Sequence, residues 1–144
     1  MPQFITRDYK PDDFEQVNRI WEETEMGGAE RGDSKEIVAR TLKAGGKLII
    51  LVDTEENQII GTSWLTQDAR RIYLHHFGIL PEFQGIGLSK LLLDESFAFA
   101  KKLNMQIKLE VHKDNEVAIH IYEEAGFDYL GEYNVYIVRD IKSI

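Results

Sequence analysis

Apolar residues recur along this chain with two periods, one typical of helices and one typical of strands. Recurrence every three or four residues, as at Phe14, Val17 and Trp21, predicts a helix that buries one face. Asp33, three residues before Glu36, is typical of a capping box and starts a second such segment. The predicted helices cover residues 11–25, 33–42, 88–103 and 115–125.

Six other segments are rich in β-branched and aromatic residues, which predicts strands. They cover residues 4–7, 47–53, 58–66, 71–79, 107–111 and 133–138. The strand, helix and strand between residues 72 and 111 require a parallel pair, whereas short turns join the strands before them. We therefore expect one α/β (α+β) domain over residues 1–144. Its central sheet should be mixed and mostly antiparallel, with helices on both faces.

Composition narrows the classes of protein that this chain can represent. The 144 residues are 43% hydrophobic and 29% charged, which is ordinary for a globular domain with one core. The net charge of −8 argues against nucleic acid as a partner and favours a cationic one, such as an amine. The absence of cysteine excludes disulfides, thiolate metal sites and a cysteine-linked acyl intermediate. With no membrane-length apolar run and no signal-peptide pattern, we expect a cytoplasmic location.

A loop with two glycines joins the fourth predicted strand to the third predicted helix. It reads Gln84-Gly85-Ile86-Gly87-Leu88-Ser89. Glycines before a helix allow a phosphate to approach the unpaired N–H groups of the first turn. The loop is neither a Walker A loop nor a complete Gly-x-Gly-x-x-Gly motif. Taken alone, it is equally compatible with a simple turn.

The same loop resembles the Gln/Arg-x-x-Gly-x-Gly/Ala motif of the GNAT N-acetyltransferase superfamily, and Pro81 precedes it as is common there. A second segment, from Asn115 to Phe127, is similar to the family signature Asn-x-x-Ala-x-x-x-Tyr-x-x-x-Gly-Phe. The two motifs stand in the family's order and at its usual separation. Ser89 departs from the usual Gly or Ala, and a small hydroxyl there is compatible with a phosphate. The resemblance implies the GNAT fold.

The resemblance also implies that acetyl-CoA (CoA) is the co-substrate and that backbone amides of the loop bind its pyrophosphate. The loop residues assigned to this role are Gln84, Gly85, Ile86, Gly87, Leu88 and Ser89. The end of the preceding strand, from Phe77 to Ile79, is implied to pair with the amide-bearing pantetheine arm.

Asn115 and Tyr122 are seven residues apart, which places them on nearly the same face of a helix. By resemblance, Asn115 contacts the cofactor and Tyr122 is the general acid that faces the thioester sulfur. A phenol is protonated at neutral pH and can donate to a developing thiolate. The alternative is that Asn115 only caps the helix and Tyr122 only packs in the core.

The general base is less evident, because the strand before the loop has no carboxylate where many family members have a glutamate. It has His75 and His76 instead. Alternation along a strand places His75 on the face of Phe77 and Ile79 and His76 on the opposite face. A neutral imidazole can act as a base near pH 7, so His75 is the first candidate. The alternative is that both histidines serve packing and surface roles.

Two other groups of polar residues have weaker functional signals. The histidines form no recognised metal-ligand spacing, so no metal is expected; they are His75, His76, His112 and His120. Four glutamates surround the first glycine pair, either as a solvated face or as an attraction for an amine; they are Glu22, Glu23, Glu25 and Glu30.

Together these features predict an N-acetyltransferase that passes the acetyl group of acetyl-CoA directly to a primary amine. The amine belongs either to a small molecule, such as a polyamine or amino acid, or to a protein. The alternative is a non-catalytic acyl-CoA-binding sensor module with the same fold. The sequence is compatible with a homodimer.

Overall fold

The computed structural model describes residues 2–144, and its elements follow the predicted order except near the C-terminus. The strands are β1 (Phe4–Asp8), β2 (Lys47–Asp53), β3 (Gln58–Gln67), β4 (Arg71–Ile79) and β5 (Gln106–Leu109). The α-helices are α1 (Phe14–Glu23), α2 (Lys35–Lys43), α3 (Leu88–Leu103) and α4 (Glu116–Ala125). Four short 3-10 turns occur at Pro11–Asp13, Ala29–Arg31, Pro81–Phe83 and Ile141–Ser143. No helix among these residues is both long and apolar enough to cross a membrane.

The five strands form one sheet in the order β1-β2-β3-β4-β5. Neighbouring strands are antiparallel from β1 to β4, and β4 pairs with β5 in parallel. This confirms the mixed, mostly antiparallel sheet. The parallel ladder is short, because Arg71–Leu74 of β4 pairs with Gln106–Leu109 of β5 and the pairing ends there.

Helices cover both faces of the sheet, and adjacent residues of β3 show how. On one face, the indole N–H of Trp21 in α1 donates to Thr62 Oγ1 at 3.0 Å. The Trp21 ring also stacks on Trp64, with ring centroids 5.1 Å apart. On the other face, Ser63 and Ser96 of α3 share a buried hydroxyl hydrogen bond of 2.7 Å. The alternation of β3 thus fixes α1 and α3 on opposite sides of the sheet.

The start of the first helix differs from the prediction, because residues 11–13 form a 3-10 turn held by an ion pair. Asp13 is 8% exposed and accepts two hydrogen bonds from the Arg7 guanidinium, at 2.7 and 3.0 Å. It also accepts from the Lys10 backbone N–H at 2.8 Å. These hydrogen bonds hold the pKa of Asp13 below its usual value, with the Arg7 side chain as the main cause. The pair joins β1 to α1.

The predicted capping box at Asp33 is wrong in one respect. The cap of α2 is Ser34, whose Oγ accepts from the Ile37 N–H at 3.2 Å. Asp33 is therefore free to bind elsewhere, and it does so at the candidate site.

The predicted strand over residues 133–138 is absent from the described chain, where residues 128–140 contain no helix or strand. The prediction came from the β-branched and aromatic content of this segment. Such residues are common in strands, but a strand also needs a neighbouring strand for its backbone groups. No strand of the described sheet supplies that neighbour.

We expect Asp13→Asn to lower the free energy of unfolding by about 2 kcal/mol at pH 7, the scale of hydrogen bonds to a charged group. Because the pKa of Asp13 is lowered in the folded state, this difference is present at neutral pH and is lost as the pH falls through that pKa. The two proteins should therefore converge only below about pH 4.

Urea unfolding at several pH values measures this difference. Asp12→Asn is the matched control, since Asp12 is exposed and neighbours Asp13 in the same turn. An equal loss in both variants, or a difference that persists at acid pH, would contradict the role of the Arg7–Asp13 pair.

Candidate active site

A cavity of about 720 Å³ opens where β4 and β5 diverge. The two strands are paired only as far as Leu74 and Leu109, so the rest of β4 has no strand partner on that side within residues 2–144. The walls come from β3, β4, the residues after β5 and the first turns of α4. Of the strand-end residues, Phe77 lies in this wall, whereas Ile79 is buried and is not part of it.

Tyr122 lies on the α4 side of this cavity. Its ring contacts Phe77 and Phe127 edge to face, with centroids 5.8 and 5.7 Å away. Burial raises the pKa of Tyr122 to about 12, so its hydroxyl is protonated at neutral pH. None of the side-chain hydrogen bonds among residues 2–144 uses this hydroxyl, which leaves it free to donate.

Asn115 has the capping role that was one of its two predicted alternatives. Its Oδ1 accepts from the Ala118 N–H at 3.2 Å and so begins α4. The residue is exposed and also lies in the cavity wall, two turns from Tyr122. Capping and facing the cavity are therefore compatible at this position.

A β-bulge interrupts β4 beside the cavity. The register against β3 shifts between Thr62 and Trp64, so that His76 and Phe77 stand opposite the single residue Ser63. His76 has a φ of +43°, which is uncommon for a residue other than glycine. Its carbonyl oxygen accepts a 2.7 Å hydrogen bond from Thr62 Oγ1, which holds the bulge in place.

The bulge makes the predicted alternation of the histidines wrong. Both imidazoles lie on the α1 face of the sheet, where the ring centroids of His75 and His76 are 6.2 and 5.2 Å from that of Trp64. The His76 ring also meets Trp21 edge to face at 4.8 Å. Phe77 turns the other way, toward Tyr122. One extra residue in β4 thus places both histidines on one face of the sheet and Phe77 on the other.

His75 is held with its imidazole partly open to the cavity. Its Nε2 is 2.8 Å from Thr66 Oγ1, and its ring stacks on Tyr73 at 6.1 Å. Burial lowers the pKa of His75 below its ordinary value, and the neighbouring charge of His76 lowers it further. His75 is consequently neutral at pH 7 and can accept a proton.

His76 is paired with Asp33, a residue that the sequence did not assign to the site. The His76 Nε2 lies 2.7 Å from Asp33 Oδ2, which also accepts from the Gly28 N–H at 3.1 Å. A Cβ on Gly27 would collide with both side chains, so glycine is required there. The glycine pair that ended the first predicted helix thus makes room for this contact.

Two carboxylates lie in the cavity wall. Of the four glutamates predicted around the glycine pair, only Glu25 lies in the cavity wall. Glu110 joins it from the end of β5, and its charge opposes the lowering of the pKa of His75. Sequence reasoning missed Glu110. The parallel register would have located it, because Leu74 pairs with Leu109 and the next residues are His75 and Glu110.

The four histidines do not converge on one point. His75, His76 and His112 contribute to the cavity wall, whereas His120 lies 3.4 Å from Glu124 on α4 and faces solvent. Within residues 2–144, no group of three or more His, Asp or Glu side chains has the arrangement of a metal site.

The glycine loop has the conformation that an anion site needs. Gly85 and Gly87 have φ values of +82° and +86°, and a Cβ built on either would meet no other atom within 4 Å. No side chain caps the first turn of α3, so its N–H groups point into this open space. A cradle of free amides at a helix N-terminus suits a pyrophosphate.

The side chains of the loop have other positions. Gln84 folds back, and its Nε2 donates to the Ile79 carbonyl at 2.8 Å, which closes the loop onto β4. Ile86 is exposed, Leu88 is buried in the core, and Ser89 lies half-buried in the first turn of α3. Only backbone groups and the Ser89 hydroxyl are thus available to an anion here.

Solved structures of acetyltransferases have the same fold at low sequence identity. An acetyltransferase from Streptococcus agalactiae is 19% identical, with a TM-score of 0.74 over 96% of this chain and 93% of that chain. A GNAT family acetyltransferase from Elizabethkingia anophelis, with acetyl-CoA bound, is 18% identical, with a TM-score of 0.62 over 89% of this chain and 78% of that chain. AAC(6')-Iy, in complex with the bisubstrate analog CoA-S-monomethyl-acetylneamine, is 13% identical, with a TM-score of 0.77 over 96% and 100% of the two chains.

The sequence itself matches the acetyltransferase (GNAT) family over residues 10–127, which is most of the chain and includes the glycine loop and α4. This match agrees with the fold described above. The chain therefore belongs to the GNAT acetyltransferase family.

Proposed function

We propose that this protein is an acetyl-CoA-dependent N-acetyltransferase that transfers the acetyl group directly to a primary amine. The observation that carries the proposal is the cavity between β4 and β5. A protonated phenol, Tyr122, lies on one side of it and a neutral imidazole, His75, on the other. Acyl transfer to an amine needs a base that takes the proton of the attacking nitrogen and an acid that stabilises the departing thiolate. An imidazole and a phenol can serve as this base and this acid.

The residues present fit an acyl-CoA co-substrate. The amides of residues 85–89 would bind the pyrophosphate, and the unpaired edge of β4 at Phe77 would pair with the pantetheine amides. Asn115 would contact the co-substrate from the start of α4. Acetyl-CoA would supply an activated thioester, and the attacking nitrogen would give up two protons, one to His75 before attack and one to the departing sulfur as the amide and the CoA thiol form.

His75 would take the proton that the attacking ammonium must lose. Its lowered pKa keeps it neutral at pH 7, and its contact with Thr66 fixes the orientation of the ring. His76 has a different part, because its Nε2 is engaged by Asp33. We assign His76 to the support of the site and His75 to proton removal.

Tyr122 would stabilise the departing thiolate by donating its hydroxyl hydrogen. A thiol has a pKa of about 8.5, so it is a stronger acid than a phenol whose pKa is about 12. Complete proton transfer from Tyr122 to the sulfur is therefore uphill. A hydrogen bond that strengthens as charge develops on the sulfur is the form of help that this residue can give.

The acceptor would be a cationic primary amine. Glu25 and Glu110 line the cavity, and the whole chain carries a net charge of −8, so an ammonium is attracted and an anionic acceptor is repelled. A small polyamine- or amino-acid-like molecule, or an amine on a protein, has this chemistry. The amine-containing analog bound by AAC(6')-Iy is consistent with an amine acceptor.

We expect Gly87→Ala to abolish the stabilisation that CoA gives, because the new methyl group occupies the space next to the free amides. A ligand that binds only the native state adds about 2.7 kcal/mol at one hundred times Kd. Thermal unfolding with and without CoA measures the gain.

Gly32→Ala is the matched control, since Gly32 has nearly the same backbone conformation and equally open surroundings (φ +98°, ψ −1°, against φ +86°, ψ 7° at Gly87). Both variants should lose about 1 kcal/mol from the positive φ. Only Gly87→Ala should lose the CoA response, and a full response in that variant would refute the loop as the anion site.

Tyr122→Phe should keep CoA binding and lower kcat by roughly 10²-fold, because the ring packing remains while the donor is lost. Tyr73→Phe is the control, as it removes the same oxygen from another tyrosine in the cavity wall and should have little effect. Release of free thiol in an acceptor screen gives the rates.

The same screen separates the enzyme from the sensor module. A wild-type protein that binds CoA but acetylates none of a broad set of primary amines would favour the sensor. Unchanged kcat in Tyr122→Phe would assign this residue to packing alone.

The pH dependence of the rate should also report the protonation of His75. Because the pKa of His75 is lowered, kcat/KM should rise with pH through an inflection below about 6.5, and a second rise should follow the deprotonation of the amine itself. His75→Ala should slow the reaction and remove the lower inflection. His120→Ala, outside the cavity, should leave both features unchanged.

His76→Gln tests the direction of the effect that His76 has on the pKa of His75. Since the charge of His76 lowers the pKa of His75, its removal should move the lower inflection to higher pH. A pH profile that is identical in wild type and His75→Ala would exclude His75 as the base.

A further inference from the structure

The turn between α1 and α2 is closed by one side chain, that of Asp33. Its Oδ2 accepts from the Gly28 N–H at 3.1 Å, and the Asp33 N–H donates to the Gly28 carbonyl at 2.9 Å. These two residues are therefore joined twice, which folds residues 28–33 into a compact unit. The turn also contacts α1, because Asn18 Oδ1 accepts from the Ala29 N–H at 2.8 Å.

The same carboxylate oxygen reaches across the fold to β4. The His76 Nε2 lies 2.7 Å from Asp33 Oδ2, and a carboxylate oxygen only accepts, so Nε2 carries the hydrogen that is donated. The exposed fractions of the His76 and Asp33 side chains are 18% and 21%, so water competes little for this hydrogen bond. The contact joins residues that are 43 positions apart in the sequence.

The His76 imidazole is otherwise held by packing. Its ring meets Trp21 and Trp64 edge to face, at centroid distances of 4.8 and 5.2 Å. Among the side-chain hydrogen bonds of residues 2–144, the one to Asp33 is the only one that the ring makes. A directional hydrogen bond at a ring nitrogen fixes the rotation of an imidazole, which is otherwise broad. Without Asp33, the ring would be free to turn into the cavity, whose wall it forms.

The residues before the turn have anchors of their own. The Met26 N–H donates to the Trp21 carbonyl at 2.9 Å, at the end of α1. The Met26 side chain lies over Gly78 of β4, where an added Cβ would come within 2.8 Å of the sulfur and the terminal carbon. Glu25 and Met26, which both lie in the cavity wall, are therefore placed by α1 and β4 and do not depend on Asp33.

We propose that Asp33 is a positioning residue that keeps the His76 imidazole out of the space that the amine acceptor occupies. The inference rests on the proposed function and adds a residue that controls acceptor binding without touching the acceptor. With the ring held against the two indoles, the cavity beside His75 stays open to an ammonium. The effect falls on the acceptor alone, because Phe77 and Tyr122 contact each other on the opposite face of the sheet.

The size of the effect depends on the fraction of molecules in which the ring is held. A ligand that needs one of two arrangements binds more weakly in proportion to the population of that arrangement. A hydrogen bond to a charged group shifts such an equilibrium by about ten-fold or more. Loss of Asp33 should therefore raise KM for the acceptor, whereas kcat, which is measured at saturation, should change little.

Steady-state kinetics of the full chain test this split, with spermidine, L-lysine and a peptide with a free N-terminus as the acceptor probes. Asp33→Ala should raise KM for an acetylated probe by about ten-fold and leave kcat and KM for acetyl-CoA within about two-fold. Asp33→Asn should restore most of the loss, because both hydrogen bonds converge on one oxygen that an amide oxygen can replace. Glu30→Ala removes the same charge from an exposed position in the turn and should match wild type.

Gly27→Ala breaks the same contact without altering either partner. Its new Cβ would collide with Asp33 Oδ2 and with the His76 ring, so this variant should reproduce the kinetics of Asp33→Ala. Gly32→Ala is the matched control, since Gly32 has open surroundings in the same turn. The CoA-induced thermal shift should equal that of wild type in all of these variants, because the glycine loop is not changed.

Amide hydrogen exchange locates the change without any acceptor. In Asp33→Ala, the Gly28 amide loses its partner and should exchange about ten-fold faster or more. The Met26 amide, which is bonded to the Trp21 carbonyl, should keep its wild-type rate. Equal exchange of Gly28 in wild type and Asp33→Ala would show that Asp33 does not hold the turn.

The outcomes separate this inference from the proposed function. A wild-type protein that acetylates none of the probes would overturn the proposed function, and the acceptor role of Asp33 with it. An active wild type whose acceptor KM is unchanged in Asp33→Ala would overturn the role of Asp33 alone. An equal rise in KM for acetyl-CoA would do the same, as would an Asp33→Asn variant as impaired as Asp33→Ala, because charge and not position would then be the cause.

Discussion

The structure depends on the short pairing between β4 and β5. Parallel strands require a crossover, and here α3 provides it, with its N-terminus at the glycine loop where β4 ends. Because the ladder stops at Leu74 and Leu109, the two strands part on the side where both helices α3 and α4 begin. The cavity lies at this divergence, and Asn115, the capping residue of α4, is part of its wall.

The bulge in β4 changes which face of the sheet the side chains of this strand occupy. His75 and His76 lie on the α1 face, among the tryptophans and carboxylates, while Phe77 lies on the opposite face against Tyr122. In a regular strand, His75 and Phe77 would point the same way. The extra residue opposite Ser63 allows the adjacent positions His76 and Phe77 to lie on opposite faces of the sheet. The positive φ of His76 accompanies this change and is stabilised through Thr62.

The sequence predicts the local parts of this arrangement and misses the parts that depend on distant partners. The glycine loop and the spacing of Asn115 and Tyr122 arise from short-range rules of helix geometry, so both could be read directly. The bulge could not, because it depends on which residue of β3 stands opposite, and nothing near His76 in the sequence signals it. The positions of Asp33 and Glu110 in the site could not be predicted either, because they depend on contacts between residues that are distant in the sequence. The β-branched and aromatic content of residues 133–138 predicted a strand, yet the structure shows no neighbouring strand for this segment.

One further consequence concerns the tryptophans, of which this chain has only two. Trp21 and Trp64 stack within 5.1 Å of each other, and the His76 ring touches both. Rings this close share their electronic transitions. The tryptophan emission of the protein therefore originates at one place, next to the Asp33–His76 pair. Tryptophan fluorescence can therefore report changes around His76, which lies in the cavity wall, without an added label.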